Sequence, residues 1–393
     1  MPPLRIGVNA LYLIPGGVGG TEIYLRGLLA GLAGIDAANQ YFIFTNRETG
    51  PDLVPRQPNF QHLPQPVRAV SRPARIFWEQ AALPLAAVRH SLDVMLNPGF
   101  TAPLFCPCPQ VTVFHDLQHK RHPKHFRRFD LPFLQFFLFW SAHVSRLLLA
   151  VSATTAADLL KYYRLPESQV RVTPEGVDPV FFDIARRRRP EPFLLSVSTL
   201  HPHKNLDGLL RAFARFRRTH PEFRLVVCGL HGHSTGRLHD LRDSLDLWGA
   251  VEFPGWIPRE DLHDLFARAW AFLYPSRFEG FGLPLLEALA SGIPTACSEI
   301  EPLSSIAAGA ALEFDPLDTT AMAEAMLKLR AVYLSAQATS IPTGSSMPGG
   351  IRRDCIRRVP GRSSENSHTQ LITTATVHTR IGNSGRPSTI RVR

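Results

Sequence analysis

The sequence predicts an α/β protein of two domains, each with a mainly parallel sheet covered by helices on both faces. Short apolar segments alternate with longer segments of helical periodicity along most of the chain, which is the pattern of parallel sheets. The length of 393 residues also exceeds the size at which a single core keeps growing, so two domains of ordinary size are expected.

The strands of the two sheets are predicted from these apolar segments. In the first half they are residues 4–10, 41–45, 92–96, 111–114, 147–151 and 170–173. In the second half they are residues 193–198, 223–228, 251–253, 271–274, 294–297 and 311–314. Four adjacent arginines followed by two prolines indicate a solvated linker at 186–192. The domains are therefore expected at 1–185 and 193–330, followed by a tail at 331–393.

The net charge of +10 is concentrated in this tail, where nine arginines stand against two acidic residues. The first 330 residues are nearly balanced, and the tail lacks interleaved aromatic residues that would stack on bases, so no nucleic-acid partner is predicted. No apolar run reaches the ~20 residues that span a bilayer. Five cysteines without regular spacing argue against a secreted disulfide scaffold. A cytoplasmic protein is predicted.

The segment Ser276–Glu287 is the most informative part of the sequence. It follows the predicted strand 271–274 and opens a helix. Gly280 and Gly282 allow a sharp turn of the backbone, and Pro284 suits the first turn of a helix because its missing N–H is not needed there. The free N–H groups at such a helix start favour an anion, and phosphate is the usual one.

Two carboxylates, Glu279 and Glu287, lie on this turn and on the helix that follows it. Both can accept hydrogen bonds from the hydroxyls of one ligand, and phosphate together with many hydroxyls describes a nucleotide sugar. The alternative is that both side chains are simply solvated. The setting Phe278–Ala288, with its two glutamates eight residues apart, resembles the signature of the retaining group 1 glycosyltransferases of the GT-B fold. The resemblance extends over residues 4–330.

The resemblance implies a GT-B fold, in which two Rossmann-like domains with parallel sheets face an interdomain cleft. It implies transfer of a sugar from a nucleotide-diphosphate sugar to a hydroxyl of a glycan or lipid-linked acceptor, with retention at the anomeric carbon and without a metal or other cofactor. Mannose is the sugar suggested by the segments around Lys204 and Gly282. The alternatives are a nucleotide-sugar epimerase or hydrolase on the same fold, and a non-catalytic or defective nucleotide-sugar-binding protein.

The resemblance also assigns roles to the residues of the second domain. Glu279 holds hydroxyls of the sugar and Glu287 those of the ribose. Lys204 follows the strand 193–198 and matches the family's donor-phosphate lysine, which stabilises the departing diphosphate; a solvated lysine is the alternative. Many relatives carry an arginine where this sequence has Thr199. The Thr199 hydroxyl is therefore a donor-binding candidate in its place, and Arg277 or His203 are the alternatives for the second phosphate contact. The remaining donor-binding candidates are backbone positions in the second domain, Gly229, Gly255, Gly280, Phe281, Gly282 and Leu283.

A glycine-rich segment, Pro15–Tyr24, follows the first strand. It is not a dinucleotide fingerprint, because Glu22 stands where Gly or Ala is required, and it lacks the Gly-Lys-Ser/Thr of a phosphate loop. It resembles the family's loop near donor and acceptor, with Gly17 and Gly19 allowing close approach of the backbone. An ordinary flexible turn is the alternative.

His115 ends the predicted strand 111–114 and matches the family's substrate-facing histidine. A histidine satisfied locally by Asp116 is the alternative. The nearby Cys106, Cys108 and His119 suggest a metal site only superficially, because their spacing is not that of a zinc motif.

The basic segment 120–129 precedes an aromatic stripe between Phe133 and Trp140. Together they could rest on an anionic membrane that presents a lipid-linked acceptor. We expect the aromatic stripe to belong to the core and leave the role of the basic segment open.

The tail at 331–393 contains no Lys, Phe or Trp and is rich in Ser, Thr, Arg, Gly and Pro, so disorder is expected. Relatives end with one more amphipathic helix that crosses back to the first domain. We therefore interpret the tail as an out-of-frame reading in which the closing helix is missing. A basic tail that tethers the enzyme to anionic lipid is the alternative.

Overall fold

The computed structural model describes residues 2–232 and 234–338 and contains two parallel sheets. All twelve predicted strands are present. The first sheet consists of β1 (Arg5–Asn9), β2 (Gln40–Thr45), β3 (Phe60–Pro64), β4 (Val94–Asn97), β5 (Gln110–Phe114), β6 (Leu147–Ala150) and β7 (Val170–Val172). The second consists of β8 (Phe193–Val197), β9 (Arg224–Cys228), β10 (Val251–Gly255), β11 (Ala271–Tyr274), β12 (Thr295–Ser298) and β13 (Leu312–Phe314).

The helices alternate with these strands, as the sequence predicts. Those of the first half are α1 (Gly20–Ile35), α2 (Arg72–Arg89), α3 (Gln118–Arg121), α4 (Asp130–Val144) and α5 (Ala153–Tyr163). Those of the second half are α6 (Val180–Arg186), α7 (Leu206–Arg217), α8 (Thr235–Ser244), α9 (Arg259–Arg268), α10 (Leu283–Ala290), α11 (Leu303–Ala307) and α12 (Thr319–Ala338).

Both sheets have the same strand order. It is β3-β2-β1-β4-β5-β6-β7 in the first and β10-β9-β8-β11-β12-β13 in the second. In each sheet the second and third strands are added on one side of the first strand, and all later strands are added on its other side. The order therefore reverses between β1 and β4 and between β8 and β11, and open α/β sheets bind ligands at the carboxyl ends of strands at such points.

Each sheet is packed on both faces. In the second half, one face of the sheet buries residues of α7 and α12, such as Phe213 and Met326, and the other buries residues of α6, α9 and α10, such as Phe266. In the first half, Leu83 of α2 and Leu138 of α4 belong to two separate buried clusters. Rigid sheets of this kind fix the positions of the loops that leave the carboxyl ends of their strands.

The one strand that the sequence prediction lacks is β3, at the edge of the first sheet. Only Phe60 of its five residues is buried. An edge strand with so few buried side chains has no apolar run to reveal it, and its last residue is a proline, which edge positions tolerate.

The chain divides into two compact units, and the division falls after Gly176. The predicted linker at 186–192 lies within the second unit. The guanidinium of Arg188 donates to the carbonyl oxygens of Gly292 at 2.5 Å and Ala269 at 2.7 Å, and Glu191 pairs with Arg268 at 2.7 Å. Arg188 and Glu191 thus attach the segment to the second unit, whereas Arg186, Arg187 and Arg189 are exposed to solvent, as predicted.

Helix α4 contradicts the expectation that its aromatic residues belong to the core. Four of them are between 39% and 48% exposed, namely Phe133, Phe136, Phe139 and Trp140. Leu138 and Ala142 are the apolar residues that the helix buries. Two thirds of the positions of the helix are large apolar residues or alanine, spread around all its faces, so the sequence pattern does not reveal which face packs. The helix therefore presents an aromatic surface to solvent.

Helix α12 continues to Ala338, eight residues beyond the predicted end of the second domain at 330. The rest of the predicted tail, and with it the predictions of disorder and of a shifted frame, lies outside the described residues. In the part of the chain that the structure describes, no helix is both long enough and apolar enough to cross a membrane.

Candidate functional site

The candidate site in the second unit lies at the carboxyl ends of β8 and β11, where the strand order reverses. Lys204 ends a short 3-10 turn after β8, and Glu279 lies on the loop between β11 and α10. A backbone hydrogen bond joins the two loops, from the N–H of Arg277 to the carbonyl oxygen of His203 at 2.8 Å. Neighbouring strands thus bring together residues that are 75 positions apart in the sequence.

Lys204 and Glu279 form an ion pair, with Nζ and Oε1 2.7 Å apart. Their side chains are only 13% and 8% exposed, so the alternatives of a solvated lysine and a solvated glutamate are wrong. The lysine ammonium has three donor hydrogens, and one carboxylate oxygen does not use them all. It can therefore hold Glu279 and a ligand phosphate at the same time.

The position of Lys204 is fixed by the residue that follows it. Asn205 adopts the left-handed conformation with φ 54°, and its Nδ2 donates to the carbonyl oxygen of Pro316 at 2.7 Å. Gly208 lies one turn further on, where a Cβ would come within 2.7 Å of Oδ1 of Asn205. The loop is thus preorganised before any ligand binds, which is the condition under which a cation stabilises developing charge most effectively.

Tyr274, the last residue of β11, lies beneath this ion pair. The Nζ of Lys204 is 5.8 Å from the centre of its ring, and the phenol forms a hydrogen bond with Glu279. Burial, followed by the charge of Glu279, raises the pKa of Tyr274 well above its ordinary value. The phenol therefore stays protonated and donates a hydrogen bond to the carboxylate of Glu279. Sequence analysis treats Tyr274 only as a strand residue, although the last side chain of a strand beside a switch point is the place to look for such a partner.

Helix α10 begins at Leu283, directly after the Gly280–Gly282 turn, as the sequence predicts. Gly282 has φ 118°, and a Cβ there would lie 2.5 Å from Cδ2 of Leu303, so only glycine fits. Its carbonyl oxygen accepts from the N–H of Leu285 at 3.0 Å. This arrangement starts the helix abruptly. Pro284 has no N–H and the N–H groups of Leu285 and Leu286 donate to Gly282, so α10 offers an anion the N–H of Leu283 and the positive end of the helix dipole.

Glu287 is the fifth residue of α10 and is 2% exposed. Its Oε1 lies 3.9 Å from Nη2 of Arg259, the first residue of α9. Arg259 is also 3.4 Å from Oδ2 of Asp178. Sequence analysis does not single out Arg259, because nothing in the motif around Glu287 indicates which helix supplies its cation.

The other predicted positions of the second unit lie in the neighbouring loops. The N–H of Gly229 donates to the carbonyl oxygen of Gly255 at 3.0 Å, so the ends of β9 and β10 meet. Gly229 has φ 147°, and a Cβ there would lie 2.0 Å from the carbonyl oxygen of Ser198, beside Thr199. Close packing of backbone against backbone explains this glycine. Phe281 is half-buried between Gly280 and Gly282.

In the first unit, His115 lies at the carboxyl end of β5 and is buried. Its Nε2 is 2.9 Å from the carbonyl oxygen of Pro98, and its Nδ1 is 3.3 Å from Oε1 of Glu175. The rings of Tyr24 and His115 are perpendicular, with their centres 4.9 Å apart. Glu175 follows β7, and sequence analysis does not identify it. That His115 orients the sugar stays a prediction.

The glycine-rich loop leads from β1 into α1. Gly19 is the residue before the helix and has φ 62°, which favours glycine, while Gly17 closes a turn onto the carbonyl oxygen of Ile14 at 2.8 Å. Glu22 accepts from the N–H of Gly16 at 2.8 Å and pairs with Arg26 at 2.9 Å. The residue that excludes a dinucleotide fingerprint thus has a structural role in holding the loop.

The sulfur and imidazole groups near His115 do not converge. The Sγ atoms of Cys106 and Cys108 are 3.6 Å apart, and Nε2 of His119 is 2.8 Å from the hydroxyl of Tyr163. Within residues 2–232 and 234–338, no three His, Cys, Asp or Glu side chains are grouped so that they could hold a metal ion. The arrangement gives no support to the alternative of a metal site here.

Two family models match consecutive parts of the chain. The model described as Glycosyltransferase Family 4 matches residues 18–181, and the model described as Glycosyl transferases group 1 matches residues 179–331. Together they cover both units, from the glycine-rich loop to α12. The chain belongs to the group 1 glycosyltransferases.

Among characterised relatives, the chain is 29% identical to O-antigen chain mannosyltransferase B of Escherichia coli over 233 residues, which are 56% of this chain and 60% of the relative. It is 26% identical to the O-antigen chain mannosyltransferase RfbU of Salmonella typhimurium over 209 residues, 53% of this chain and 57% of the relative. The matched part thus spans less than two thirds of these relatives.

Among solved structures, sucrose-phosphate synthase from Thermosynechococcus elongatus superposes with a TM-score of 0.73 at 18% identity, covering 95% of this chain and all of that one. Anabaena HepE in complex with UDP-glucose superposes with a TM-score of 0.67 at 17% identity, covering 95% of this chain and 99% of that one. The predicted GT-B fold, with its two Rossmann-like halves, is confirmed.

Proposed function

We propose that this protein transfers a sugar from a nucleotide-diphosphate sugar to a hydroxyl acceptor, with retention at the anomeric carbon. The observation that carries the proposal is the buried ion pair between Lys204 and Glu279, 2.7 Å apart, beside the start of α10. A fixed cation and a helix N-terminus suit a diphosphate, and the neighbouring carboxylates suit sugar hydroxyls. Membership of the group 1 glycosyltransferases supports this over an epimerase, a hydrolase or a non-catalytic protein.

In the proposed reaction, the bond between the anomeric carbon and the diphosphate breaks while the acceptor oxygen forms its bond on the same face. The released phosphate oxygen takes the acceptor proton, so no side chain serves as general base. Lys204 and the amides that lead into α10, up to Leu283, stabilise the charge that grows on the diphosphate. Glu279 holds the sugar and Glu287 the ribose. One preorganised contact of this kind contributes about 3 kcal/mol to lowering the barrier.

Because Lys204 and the amides of α10 supply this stabilisation, we propose that the reaction needs neither a metal ion nor another cofactor. The same charge could be met by a bound divalent cation in other enzymes. The chelator experiment described below decides between these possibilities.

Mannose is the proposed sugar. The support comes from the two relatives named O-antigen chain mannosyltransferase, and from a mannosyltransferase of Mycolicibacterium hassiacum that is 31% identical over 159 residues, 40% of this chain and 38% of that relative. Other relatives are glycogen synthases, so the donor requires a direct test.

We further propose that the protein acts in the cytoplasm and makes peripheral contact with the anionic face of a membrane. The support is the exposed aromatic surface of α4, beside the basic segment 120–129. Helix α2 adds exposed Phe77, Leu85 and Val88, and its only acidic residue, Glu79, is buried. Aromatic and cationic groups are suited to an anionic lipid surface, and the basic residues of 120–129 outnumber the exposed Asp130 at the start of α4.

A donor screen tests the proposed function. Purified full-length protein is incubated with nucleotide sugars of different base and sugar, with a membrane lipid extract as acceptor source, and the released nucleotide is measured. We expect GDP-mannose to give the fastest release, dependent on the extract. Release from another donor would correct the sugar, whereas no release above that of a Lys204→Ala/Glu287→Ala double variant with any donor would overturn the proposal.

A further inference from the structure

A cavity of about 370 Å³ lies within the first unit, beside the glycine-rich loop. Its volume falls in the range of roughly 300–1,000 Å³ that is usual for small-molecule sites. Val18 and Thr21 line it on the side of the glycine-rich loop, and Asp116, the neighbour of His115, lines it at the end of β5. Helices α2 and α4 supply two further walls. The cavity therefore adjoins the loop that the sequence resemblance places near donor and acceptor, and the neighbour of the predicted substrate-facing His115.

The wall formed by α4 is apolar. It consists of Phe133, Leu134, Phe137 and Leu138 together with the preceding Phe126. Phe133 is also 47% exposed, so this apolar wall continues from the cavity to the aromatic surface of α4. A chain of hydrocarbon lying along Phe133 and Phe137 would remove both rings from water, which is favourable.

The wall formed by α2 is cationic. Arg72 and Arg75 both lie in its first turn and both line the cavity. In the part of the chain that the structure describes, Nε of Arg75 is buried without a hydrogen-bond partner. An arginine beside a helix N-terminus is a favourable place for phosphate, since the guanidinium and the helix dipole both attract an anion.

The other titratable groups of the cavity leave this cationic character in place. Burial lowers the pKa of His119 to about 4, so the imidazole is neutral near pH 7. Burial raises the pKa of Glu79, and the charge of Arg75 and the hydrogen bonds from Asn9 and Thr101 act in the opposite direction. Asp116 opposes an anion, but it accepts from the N–H of Gln118 at 2.8 Å and stands against two arginines.

We propose that this cavity binds the acceptor of the reaction, and that the acceptor is a phosphorylated lipid, with its phosphate at Arg72 and Arg75 and its hydrocarbon chain along Phe133 and Phe137. The inference rests on the proposed glycosyl transfer and names the class of acceptor. A water-soluble glycan without phosphate would use neither the buried Nε of Arg75 nor the apolar wall. The exposed continuation of that wall gives the hydrocarbon chain a path to the aromatic surface of α4.

Three probes separate the contribution of the hydrocarbon chain to binding from that of the phosphate groups. They are farnesyl diphosphate, inorganic diphosphate and farnesol. Binding of each probe to the full-length protein is measured by calorimetry below the micelle concentration of the lipid. We expect farnesyl diphosphate to bind at least about tenfold more tightly than either of the others, since each lacks one of the two sets of contacts. Equal binding of inorganic diphosphate, or of farnesol, would overturn the proposal.

Variants of the two walls locate the site. Arg75→Gln and Arg72→Gln each remove a charged contact, and we expect each to weaken farnesyl diphosphate about tenfold. Arg72 is exposed, so its variant serves if Arg75→Gln does not fold. Arg89→Gln is the matched control, because Arg89 is an exposed arginine at the other end of α2. An equal loss of affinity in Arg89→Gln would mean that farnesyl diphosphate responds to the overall positive charge of the protein, and would overturn the proposed phosphate site.

The donor screen separates this inference from the proposed function. Nucleotide release that depends on a water-soluble glycan, together with no specific binding of farnesyl diphosphate, would leave glycosyl transfer standing and refute the lipid acceptor. Specific binding that Arg72→Gln weakens, without nucleotide release from any donor, would support the cavity and refute glycosyl transfer.

Discussion

Replacing Lys204 with alanine tests the candidate donor site most directly. Removal of a preorganised cation from the departing diphosphate costs about 3 kcal/mol of barrier, so turnover should fall roughly a hundredfold. The same substitution leaves Glu279 largely buried, 8% exposed, without its cation. Breaking a buried pair on one side costs up to about 3–5 kcal/mol of stability. The expected loss of turnover must therefore be separated from a loss of folded protein.

The double variant Lys204→Met/Glu279→Gln makes this separation. It removes the unpaired charge, so we expect it to regain much of the free energy of unfolding that Lys204→Ala loses, while turnover stays low. Denaturant unfolding gives the stability, and released nucleotide at saturating acceptor gives the turnover. Lys328→Ala, on an exposed position of α12, is the control for loss of a lysine in the same unit. Near-normal turnover in folded Lys204→Ala, or full turnover in the double variant, would refute the role of this cation.

Three further predictions follow from the same structure. Glu287→Ala should lower turnover roughly a hundredfold, because the ribose hydroxyls lose the carboxylate that accepts their hydrogen bonds. Glu324→Ala, on an exposed position of α12, should leave turnover unchanged. Equal rates of nucleotide release in both variants would contradict the role of Glu287. Dialysis against a chelator should leave turnover near its untreated value, and an activity that disappears and returns with a divalent ion would contradict the metal-free mechanism. Burial lowers the pKa of His119 from 6.5 to about 4, so the folded state favours the neutral ring. The free energy of unfolding is therefore unaffected by this group above about pH 6.5 and decreases as the pH falls toward 4, by up to roughly 3 kcal/mol. The free energy of unfolding, measured with denaturant, should differ less between pH 7 and pH 4.5 for His119→Gln than for the unchanged protein. An equal difference would mean that His119 does not determine this pH dependence.

The sheets were predictable from the sequence because strands buried on both sides are runs of apolar residues. The strands β5 and β6 are buried at every position, and turn-forming residues bound them. The strand β3 shows the limit of this signal, because it buries only Phe60 and pairs only with β2. Hydrogen bonding to the edge of an existing sheet, rather than its own composition, makes it a strand.

The linker and the aromatic helix show a second limit. Four consecutive arginines predict solvation, but Arg188 lies where the carbonyl oxygens of Ala269 and Gly292 converge. Aromatic residues predict burial, but most of those of α4 face solvent. In both cases local composition gives the usual environment of a residue type, while the tertiary structure decides which groups are available to pair with it.

The candidate site was also only partly predictable from the sequence. The motif identifies Glu279, Glu287 and the turn at Gly282, since a helix start that binds an anion needs these residue types at this spacing. The partners Tyr274, Arg259 and Glu175 come from other strands and helices, and only the strand order indicates which of them are near. Sequence motifs thus identify the candidate ligand-binding groups better than the groups that position them.

The charge balance around Lys204 explains why geometry matters so much at this site. Lys204 is paired with Glu279, so the two together add no net charge. Thr199 stands where many relatives carry an arginine, and Arg277, a candidate for the missing cation, is exposed to solvent. The partial charge of a helix N-terminus is about half an elementary charge, which is far below that of a diphosphate. In the proposed reaction, stabilisation of the leaving group therefore has to come from hydrogen-bond donors held in fixed positions, and the contacts of Asn205 and Gly282 hold them there.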